Sequence, residues 1–533
     1  MKVLKQLNYG KVLLVAFIIV AILYGFICSE DAWYIADLRY LYNRAYQMLS
    51  CFQDGNMPWF YYNDFGGVGY GSSFFYGQLT LVPFLIFIPI GFEPFINAYI
   101  ITTIILHFVG SYCLFKRFCK QPYWVSVLYI SCYFSYYNFL TSGTYSNLFA
   151  IGLSFFYIAF CIDFFRNKKS FIPAALIFYL IMNTHLITSI VTFGITLILL
   201  GYYWDKTRIK DCFKFFITTC VLCSYNVLNM LYHSGIINRT NEINAKVIKD
   251  LKDSLPRSID LYMDKIPFGG LLSSLVLKNV NGYHLFNWVF LGIIVFLIYK
   301  YKVLKNKKVF CLLVVSCLTL IISMRPIWLA INQKLLIPIQ FPNRLTPYII
   351  CFIFIIAFKN LDRVKLYVLL FITCLPELFV GPFFMYEIPD EYKALVTDLD
   401  CQIVNGEYLD SSFIFDKDLF ELYSSSVIDV DTGAHYAFQR NNNQIIVDDL
   451  DKSNITLQFP KLYYKGYTLT DNFGNRYEVR KGISQFCTVT IDNRTQRVVL
   501  QYQHPVWLKA LWLLSFSGFI ILCLSKKVRK ILN

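Results

Sequence analysis

The chain has 533 residues, of which 56% are hydrophobic, 18% aromatic and only 16% charged, whereas soluble proteins carry roughly 25% charged residues. A soluble globule of this composition would expose large apolar patches, and a disordered chain would be polar and poor in aromatic residues, so both classes are excluded. The net charge of +15 indicates either nucleic-acid binding or the Lys and Arg that collect in cytoplasmic loops of membrane proteins.

Apolar runs that approach the length needed to cross a membrane recur along the chain. A helix needs about 20 apolar residues to cross the hydrocarbon core, and we predict twelve spans. They are 11–28, 94–115, 122–140, 146–165, 171–184, 187–204, 215–235, 285–301, 309–324, 345–358, 366–386 and 506–525. We interpret the first as a retained anchor, because no small-x-small cleavage site precedes Ser29.

A further apolar run, 77–91, decides the orientation. If it lies in the membrane interface, both termini are cytoplasmic. The cytoplasmic segments are then 1–11, 116–121, 162–170, 205–214, 300–308, 359–365 and 526–533. They hold 25 Lys and Arg but 4 Asp and Glu, a net charge of +21, while the rest of the chain carries −6. This asymmetry follows the positive-inside rule, so the basic charge indicates orientation in a plasma membrane and no nucleic-acid partner is predicted.

Three long segments then face outward: 29–93, 236–284 and 387–505. The first contains an aromatic, glycine-rich stretch, FYYNDFGGVGYGSSFFYGQL, that could hold a sugar or a lipid headgroup. The third shows the alternation of β-strands, as in CTVTI (487–491) and VVLQY (498–502), with turn signals between. Its role is either that of a lid or spacer, or acceptor binding. A disulfide between Cys401 and Cys487 in this segment is left open.

The predicted fold class is therefore an α-helical polytopic membrane protein with about 12 transmembrane helices and a C-terminal extracytoplasmic β-rich domain, expected to be a sandwich. The transmembrane domain covers 1–386, with 29–93 as its first outer loop. The β-rich domain covers 387–505. Residues 506–533 supply the last transmembrane helix and a basic cytoplasmic tail.

Ionisable groups at a membrane are costly and are therefore functional candidates. Asp37 and Arg44 are seven residues apart, so on a helix they share one face. A carboxylate at the membrane boundary in aromatic surroundings could have a raised pKa and act as a base. The alternative for Asp37 is a solvated interfacial carboxylate, and Asp31 has the same two interpretations.

Two further places carry candidate binding residues. Pro338 and Pro342 break any helix between two predicted spans, which leaves Gln340 and Arg344 on irregular backbone. Arginine suits phosphate through its planar donor fork, although Arg344 could instead reach to lipid headgroups. His185 lies at a turn between two short spans, where a histidine is more often a hydrogen-bonded structural residue than a catalyst.

Taken together, these motifs resemble those of a known group. The chain is similar to the GT-C superfamily of membrane glycosyltransferases, and more closely to the YfhO-like bacterial membrane proteins. The resemblance is carried by Asp37-Leu38-x-Tyr40, by the segment from Gly55 to Trp59, by the Gly66-Gly67 turn, by the Phe75-Tyr76 pair before the apolar run 77–91, and by FPKLYYKGYTLT at 459–470. It covers most of the chain, through short motifs.

This resemblance implies an enzyme that transfers a sugar from a polyprenyl-phosphate carrier to an acceptor on the outer membrane face. The acceptor would be a lipid or an envelope glycopolymer of the teichoic-acid type. Asp37 would be the catalytic base, with Asp31 in reserve. The substrate and its phosphate would be bound by Arg44, Arg344, Gln340, His185 and Tyr76. The second outer loop, TSGTYSN (141–147), lacks the acidic pair of metal-using relatives, so no cofactor is predicted to be required, although a divalent metal stays open.

Two other functions fit the sequence. Twelve spans also suit a transporter or a flippase of lipid-linked saccharide, but we find no internal repeat of the kind that transporters often show. The third hypothesis is a non-catalytic envelope scaffold that works through its β-rich domain.

Overall fold

The computed structural model describes residues 36–64, 67–134, 145–167, 169–204, 209–234, 346–358, 424–441 and 443–525. The described residues belong to two compact units. The first draws on Met1–Leu38, Ile96–Phe215 and Ser254–Lys393, and the second on Arg39–Phe95, Phe216–Asp253 and Ala394–Asn533. The predicted boundary between residues 386 and 387 lies outside the described residues and stays a prediction.

Helices account for most of the described residues before position 424. They are α1 (Ala36–Gln53), α2 (Phe92–Phe115), α3 (Pro122–Phe134), α4 (Tyr145–Asn167), α5 (Ile172–Met182), α6 (Leu186–Tyr202), α7 (Ile209–Ser234) and α8 (Thr346–Phe358). A ninth described helix, α9 (Val506–Leu524), follows the strands. Short 3₁₀ helices form at Gly71–Phe74 and Leu79–Phe87.

Four of the described helices are long and apolar enough to cross a membrane: Phe92–Phe115, Tyr145–Asn167, Ile209–His233 and Val506–Leu524. They coincide with four predicted spans, which identifies the chain as a membrane protein. Helices α5 and α6 are apolar but shorter, and α3 and α8 have 13 residues each. The predicted spans 11–28, 285–301, 309–324 and 366–386 lie outside the described residues, so the predicted total of twelve stays a prediction.

Helices α2 and α4 run side by side in the same direction. Near one end of the contact between the two helices, His107 Nε2 lies 2.7 Å from the carbonyl oxygen of Leu148. Further along, Gly110 and Gly152 let the two backbones approach closely. At the far end the Arg117 guanidinium pairs with the Asp163 carboxylate at 2.6 Å. Arg117 and Asp163 therefore lie at the same end of this helix pair.

The apolar run 77–91 forms a short 3₁₀ helix, Leu79–Phe87, with Pro83 inside it. Nine residues at about 2 Å per residue reach roughly 18 Å, well short of the roughly 30 Å hydrocarbon core. This element is therefore too short to span a membrane. Its predicted place in the membrane interface stays a prediction.

The described strands of the second unit form two five-stranded antiparallel sheets, ordered β2-β1-β5-β9-β8 and β3-β4-β10-β6-β7. They are β1 (Val427–Asp429), β2 (His435–Tyr436), β3 (Gln439–Asn441), β4 (Gln444–Lys452), β5 (Ile455–Leu462), β6 (Tyr467–Asp471), β7 (Arg476–Tyr477), β8 (Arg480–Lys481), β9 (Phe486–Ile491) and β10 (Thr495–Tyr502). The predicted strands 487–491 and 498–502 are confirmed within β9 and β10. Two antiparallel sheets with buried alternate positions are typical of a sandwich.

Local chemistry explains two details of these sheets. The Asp471 side chain accepts hydrogen bonds from the backbone N–H groups of Phe473 and Asn475, which closes the turn between β6 and β7. Cys487 in β9 is a buried free thiol. Cys401 lies outside the described residues, so the disulfide that the sequence left open stays open.

Residues 54–64 and 67–78, which we call the aromatic loop, share a core with these strands. Phe60 and Phe74 of the loop and Tyr464 beside β5 lie with ring centroids 5.4 to 5.6 Å apart. Tyr502 of β10 lies 4.9 Å from Phe60. All four side chains are buried. Buried aromatic clusters of this kind contribute strongly to packing, so the loop is fixed against the sheets.

Candidate anion-binding site

Arg44, in the middle of α1, is the largest charged side chain that is buried among the described residues of the second unit. It is 2% exposed. One guanidinium nitrogen, Nη2, donates a hydrogen bond of 3.1 Å to the carbonyl oxygen of Gly77, and Nε has no hydrogen-bond partner in the described part of the chain. Among the residues that the structure describes, no carboxylate lies within ion-pair distance of this guanidinium.

A buried charge without a partner is energetically expensive, because desolvation of the ion costs several kcal/mol. Buried polar groups in folded proteins almost always have a partner, and each exception needs an explanation. The Arg44 guanidinium can donate to an anionic oxygen in the planar fork that suits phosphate and carboxylate groups. We therefore identify it as the centre of a candidate anion-binding site.

Tyrosine rings form the walls of this site. The Arg44 guanidinium carbon lies 4.6 Å from the centre of the half-buried Tyr76 ring and 5.7 Å from that of Tyr40. The two rings meet edge to face at 6.1 Å. Cation–π contacts compensate part of the cost of burying the charge, by about 0.5–2 kcal/mol each. They leave the guanidinium edge, which is the part that binds oxyanions, for hydrogen bonding.

Tyr61 completes the surroundings of Arg44. Its side chain is fully buried. Burial raises the pKa of the Tyr61 hydroxyl, while the nearby Arg44 cation acts in the opposite direction. The phenol is therefore neutral at physiological pH and does not neutralise the guanidinium.

Sequence analysis missed a second buried pair close to Arg44. Asn43 Nδ2 donates a hydrogen bond of 2.8 Å to Asp64 Oδ1, and both side chains are at least nine-tenths buried. The amide of Gly69 donates to the Asp64 backbone oxygen at 2.9 Å. The one signal for this pair in the sequence was a carboxylate inside an otherwise aromatic run, which indicates a specific hydrogen-bond partner.

Of the predicted site residues, the structure brings Arg44 and Tyr76 together. The backbone of Asp37 lies in the first turn of α1, but its side chain lies outside the described part of the molecule. Asp31, Gln340 and Arg344 also lie outside the described residues. Their predicted roles stay predictions.

His185 belongs to the first unit, where it begins α6 as the N-cap residue. Its Nδ1 accepts a hydrogen bond of 3.2 Å from the Thr188 backbone N–H. The Thr188 hydroxyl in turn donates to Asn147 Oδ1 at 2.7 Å, and His185 is 6% exposed. These contacts give His185 a structural role, and its predicted contact with substrate stays a prediction.

The glycines of the aromatic loop serve its close packing. A Cβ at Gly71 would lie 2.5 Å from the Tyr464 ring, and one at Gly67, where φ is +85°, would overlap the Arg440 guanidinium. Phe60, Tyr61 and Phe74 are likewise buried. The sequence analysis interpreted this stretch as a surface for a sugar or a lipid headgroup. For these three side chains that interpretation is wrong, because they are part of the hydrophobic core. Tyr76 at the end of the loop is half-buried and faces Arg44.

No group of three or more His, Cys, Asp or Glu side chains within the described ranges could hold a metal ion. No family model, curated protein or solved structure matches this chain. The function is therefore inferred from the chain's own residues, above all from the buried Arg44 cation, which has no carboxylate within ion-pair distance among the described residues.

Proposed function

We propose that this protein is a membrane glycosyltransferase that takes a sugar from a polyprenyl-phosphate carrier and transfers it to an envelope glycopolymer or a lipid acceptor. Apolar helices of spanning length support a lipid-linked substrate. The observation that carries the proposal is the buried Arg44, which has no carboxylate within ion-pair distance among the described residues and is walled by Tyr40 and Tyr76.

In the proposed reaction, the acceptor hydroxyl oxygen bonds to the anomeric carbon while the bond from that carbon to the phosphate oxygen breaks. The electron pair stays on the phosphate, which leaves as polyprenyl phosphate. Arg44 stabilises the negative charge that grows on the phosphate oxygens, and such charge stabilisation in a dry site lowers the barrier. Because the phosphate is already a good leaving group, a strong general acid is unnecessary.

Asp37 is the proposed base that takes the proton of the acceptor hydroxyl. It lies seven residues before Arg44 on α1, which places both residues on one helix face about 10 Å apart along the axis. Asp31, Arg344 and Gln340 keep their predicted roles within this proposal, as does a location on the outer membrane face with both termini cytoplasmic. His185 has the N-cap role that its contacts give it.

Phosphate binding is tested with the full-length protein in lipid nanodiscs and a polyprenyl methyl phosphate probe. Arg44→Met is expected to weaken binding of the probe about 10- to 100-fold, which corresponds to the free energy of a hydrogen bond to a charged group. Arg476→Met, at an exposed position of β7, is the matched control and is expected to bind normally. Equal affinity of Arg44→Met and the control would overturn the phosphate site.

Catalysis is tested separately with Asp37→Asn. Transfer of radiolabelled sugar from the polyprenyl-phosphate donor to envelope polymer is expected to stop, while binding of the methyl phosphate probe is retained. Normal transfer at normal protein level would contradict the role of Asp37. Movement of the lipid-linked saccharide across the membrane of proteoliposomes, without transfer of its sugar to an acceptor, would instead identify a flippase.

A further inference from the structure

Lys461, on strand β5, is a buried lysine whose ammonium group enters a turn of the aromatic loop. It is 2% exposed. Its Nζ donates hydrogen bonds to the backbone oxygens of Tyr62 at 2.7 Å and of Gly67 at 2.8 Å. The next residue of the strand, Leu462, adds a backbone bond to the Val68 oxygen at 3.0 Å. Three hydrogen bonds thus connect β5 to a loop that lies almost 400 residues earlier in the chain.

The loop closes around this ammonium group through residues 61–64 and 67–70, the described parts of a segment we call the 61–70 turn. Tyr61 and Tyr70 form an antiparallel bridge at its open end, and the Gly69 amide bonds to the Asp64 oxygen within it. The two carbonyl oxygens that Lys461 binds lie on either side of the turn. Lysine at this position therefore satisfies buried backbone acceptors that an apolar side chain would leave without partners.

The same turn holds α1 at the point where Arg44 lies. Asp64, at the middle of the turn, accepts the hydrogen bond from Asn43, which directly precedes Arg44. Tyr61, at the start of the turn, lies close enough to Arg44 for the cation to affect its hydroxyl. A continuous series of short contacts therefore leads from Lys461 through the turn to the anion-binding site.

We propose that Lys461 is a positioning residue for the Arg44 site: its ammonium group fixes the 61–70 turn, and the turn holds Arg44 in the geometry that binds phosphate. This inference rests on the proposed phosphate-binding function. It assigns to the β-sheets the task of shaping a binding site built from α1 and the aromatic loop.

Burial also makes this contact dependent on pH. Burial lowers the pKa of Lys461 to about 7, the nearby Arg440 cation on β3 acts in the same direction, and the Cys487 thiol on β9 opposes them. When the turn opens, Lys461 reaches water and its pKa returns towards 10.5. The open form then binds the proton more tightly, so a rise of pH above 7 favours the closed turn, in which the neutral amine keeps two N–H donors for the two carbonyl oxygens.

Hydrogen exchange of the full-length protein in nanodiscs tests the contact directly. The amides of Leu462, Gly69 and Tyr70 report on the turn. After correction for intrinsic exchange, their protection is expected to rise by up to about tenfold per pH unit between pH 7 and 8.5 in the natural protein. In Lys461→Met the protection is expected to be lower and independent of pH. A pH dependence that persists in Lys461→Met would overturn the assignment.

The effect on the anion site is tested with the polyprenyl methyl phosphate probe, a diester that does not titrate in this range. Lys461→Met is expected to bind about tenfold more weakly, and Asn43→Ala, at the other end of the contact series, to show the same loss. Lys465→Met, whose ammonium group lies over the Tyr232 ring, is the matched control and is expected to bind normally.

The outcomes separate the two proposals. Normal binding by Lys461→Met, with weak binding by Arg44→Met, would overturn the positioning role and keep the phosphate site. Normal binding by all three variants at Lys461, Asn43 and Arg44 would overturn both. Weak binding by Lys461→Met with normal binding by Asn43→Ala would also overturn the proposed route through the turn.

Discussion

Replacing Arg44 by methionine should separate stability from binding in a single variant. The natural side chain pays the desolvation cost of a buried charge and recovers part of it through the Gly77 hydrogen bond and the two tyrosine rings. A hydrogen bond to a charged group contributes about 1.5–3 kcal/mol, and a cation–π contact about 0.5–2 kcal/mol. Desolvation of the ion costs several kcal/mol, which is of the same size.

Because these terms nearly cancel, Arg44→Met should leave the free energy of unfolding unchanged or raise it by about 1–4 kcal/mol, the range found when buried ions are replaced by apolar residues. For a unit of this size, 1 kcal/mol corresponds to about 2–4 °C in Tm. We therefore expect a Tm equal to that of the natural protein or several degrees higher, measured by tryptophan fluorescence in nanodiscs.

Addition of the polyprenyl methyl phosphate probe supplies the second half of the assay. At a concentration of 100 times Kd, a ligand that binds the folded state stabilises it by about 2.7 kcal/mol. The natural protein and the Arg476→Met control should gain this increment, and Arg44→Met should not. A fall in stability of about 3–5 kcal/mol in Arg44→Met without ligand would refute the reasoning, since that is the cost of breaking a buried ion pair.

Three further predictions follow. Gly71→Ala should lower the free energy of unfolding by about 1–3 kcal/mol, because its Cβ would lie 2.5 Å from the buried Tyr464 ring. Gly201→Ala, with open space around it, is the control, and equal Tm values for the two variants would contradict the contact. His185→Ala should remove the N-cap of α6 and cost about 1 kcal/mol in urea denaturation, with unchanged affinity for the phosphate probe; loss of binding in a folded variant would place His185 in the site. The free energy of unfolding should rise with pH between about 7 and 10.5, by up to about 1.4 kcal/mol per pH unit relative to Lys461→Met. The reason is that the unfolded chain keeps the Lys461 proton, which the folded protein releases. A difference in unfolding free energy between the two proteins that stays constant across this pH range would count against the buried amine.

The sequence by itself determined the features that depend on neighbouring residues. Hydropathy over about 20 residues located the helices Phe92–Phe115 and Tyr145–Asn167, and alternation with period two located β9 and β10. These signals are local, because each helix or strand shows its own apolar pattern regardless of what packs against it. The same reasoning identified Arg44 as a candidate, since a charge beside an apolar run needs an explanation.

Only the tertiary structure decided which residues meet. Tyr76 lies over Arg44 although 32 positions separate them, and Lys461 enters a turn at 61–70. The loop aromatics, which composition alone assigned to a binding surface, pack with Tyr464 and Tyr502 instead. Contacts of this kind depend on the register and direction of segments far apart in the chain, and no local pattern of residues encodes them. That is why the sequence could propose a cation for the site. The tyrosine rings around that cation, and the contact from the β-sheets that supports them, could be identified only from the fold.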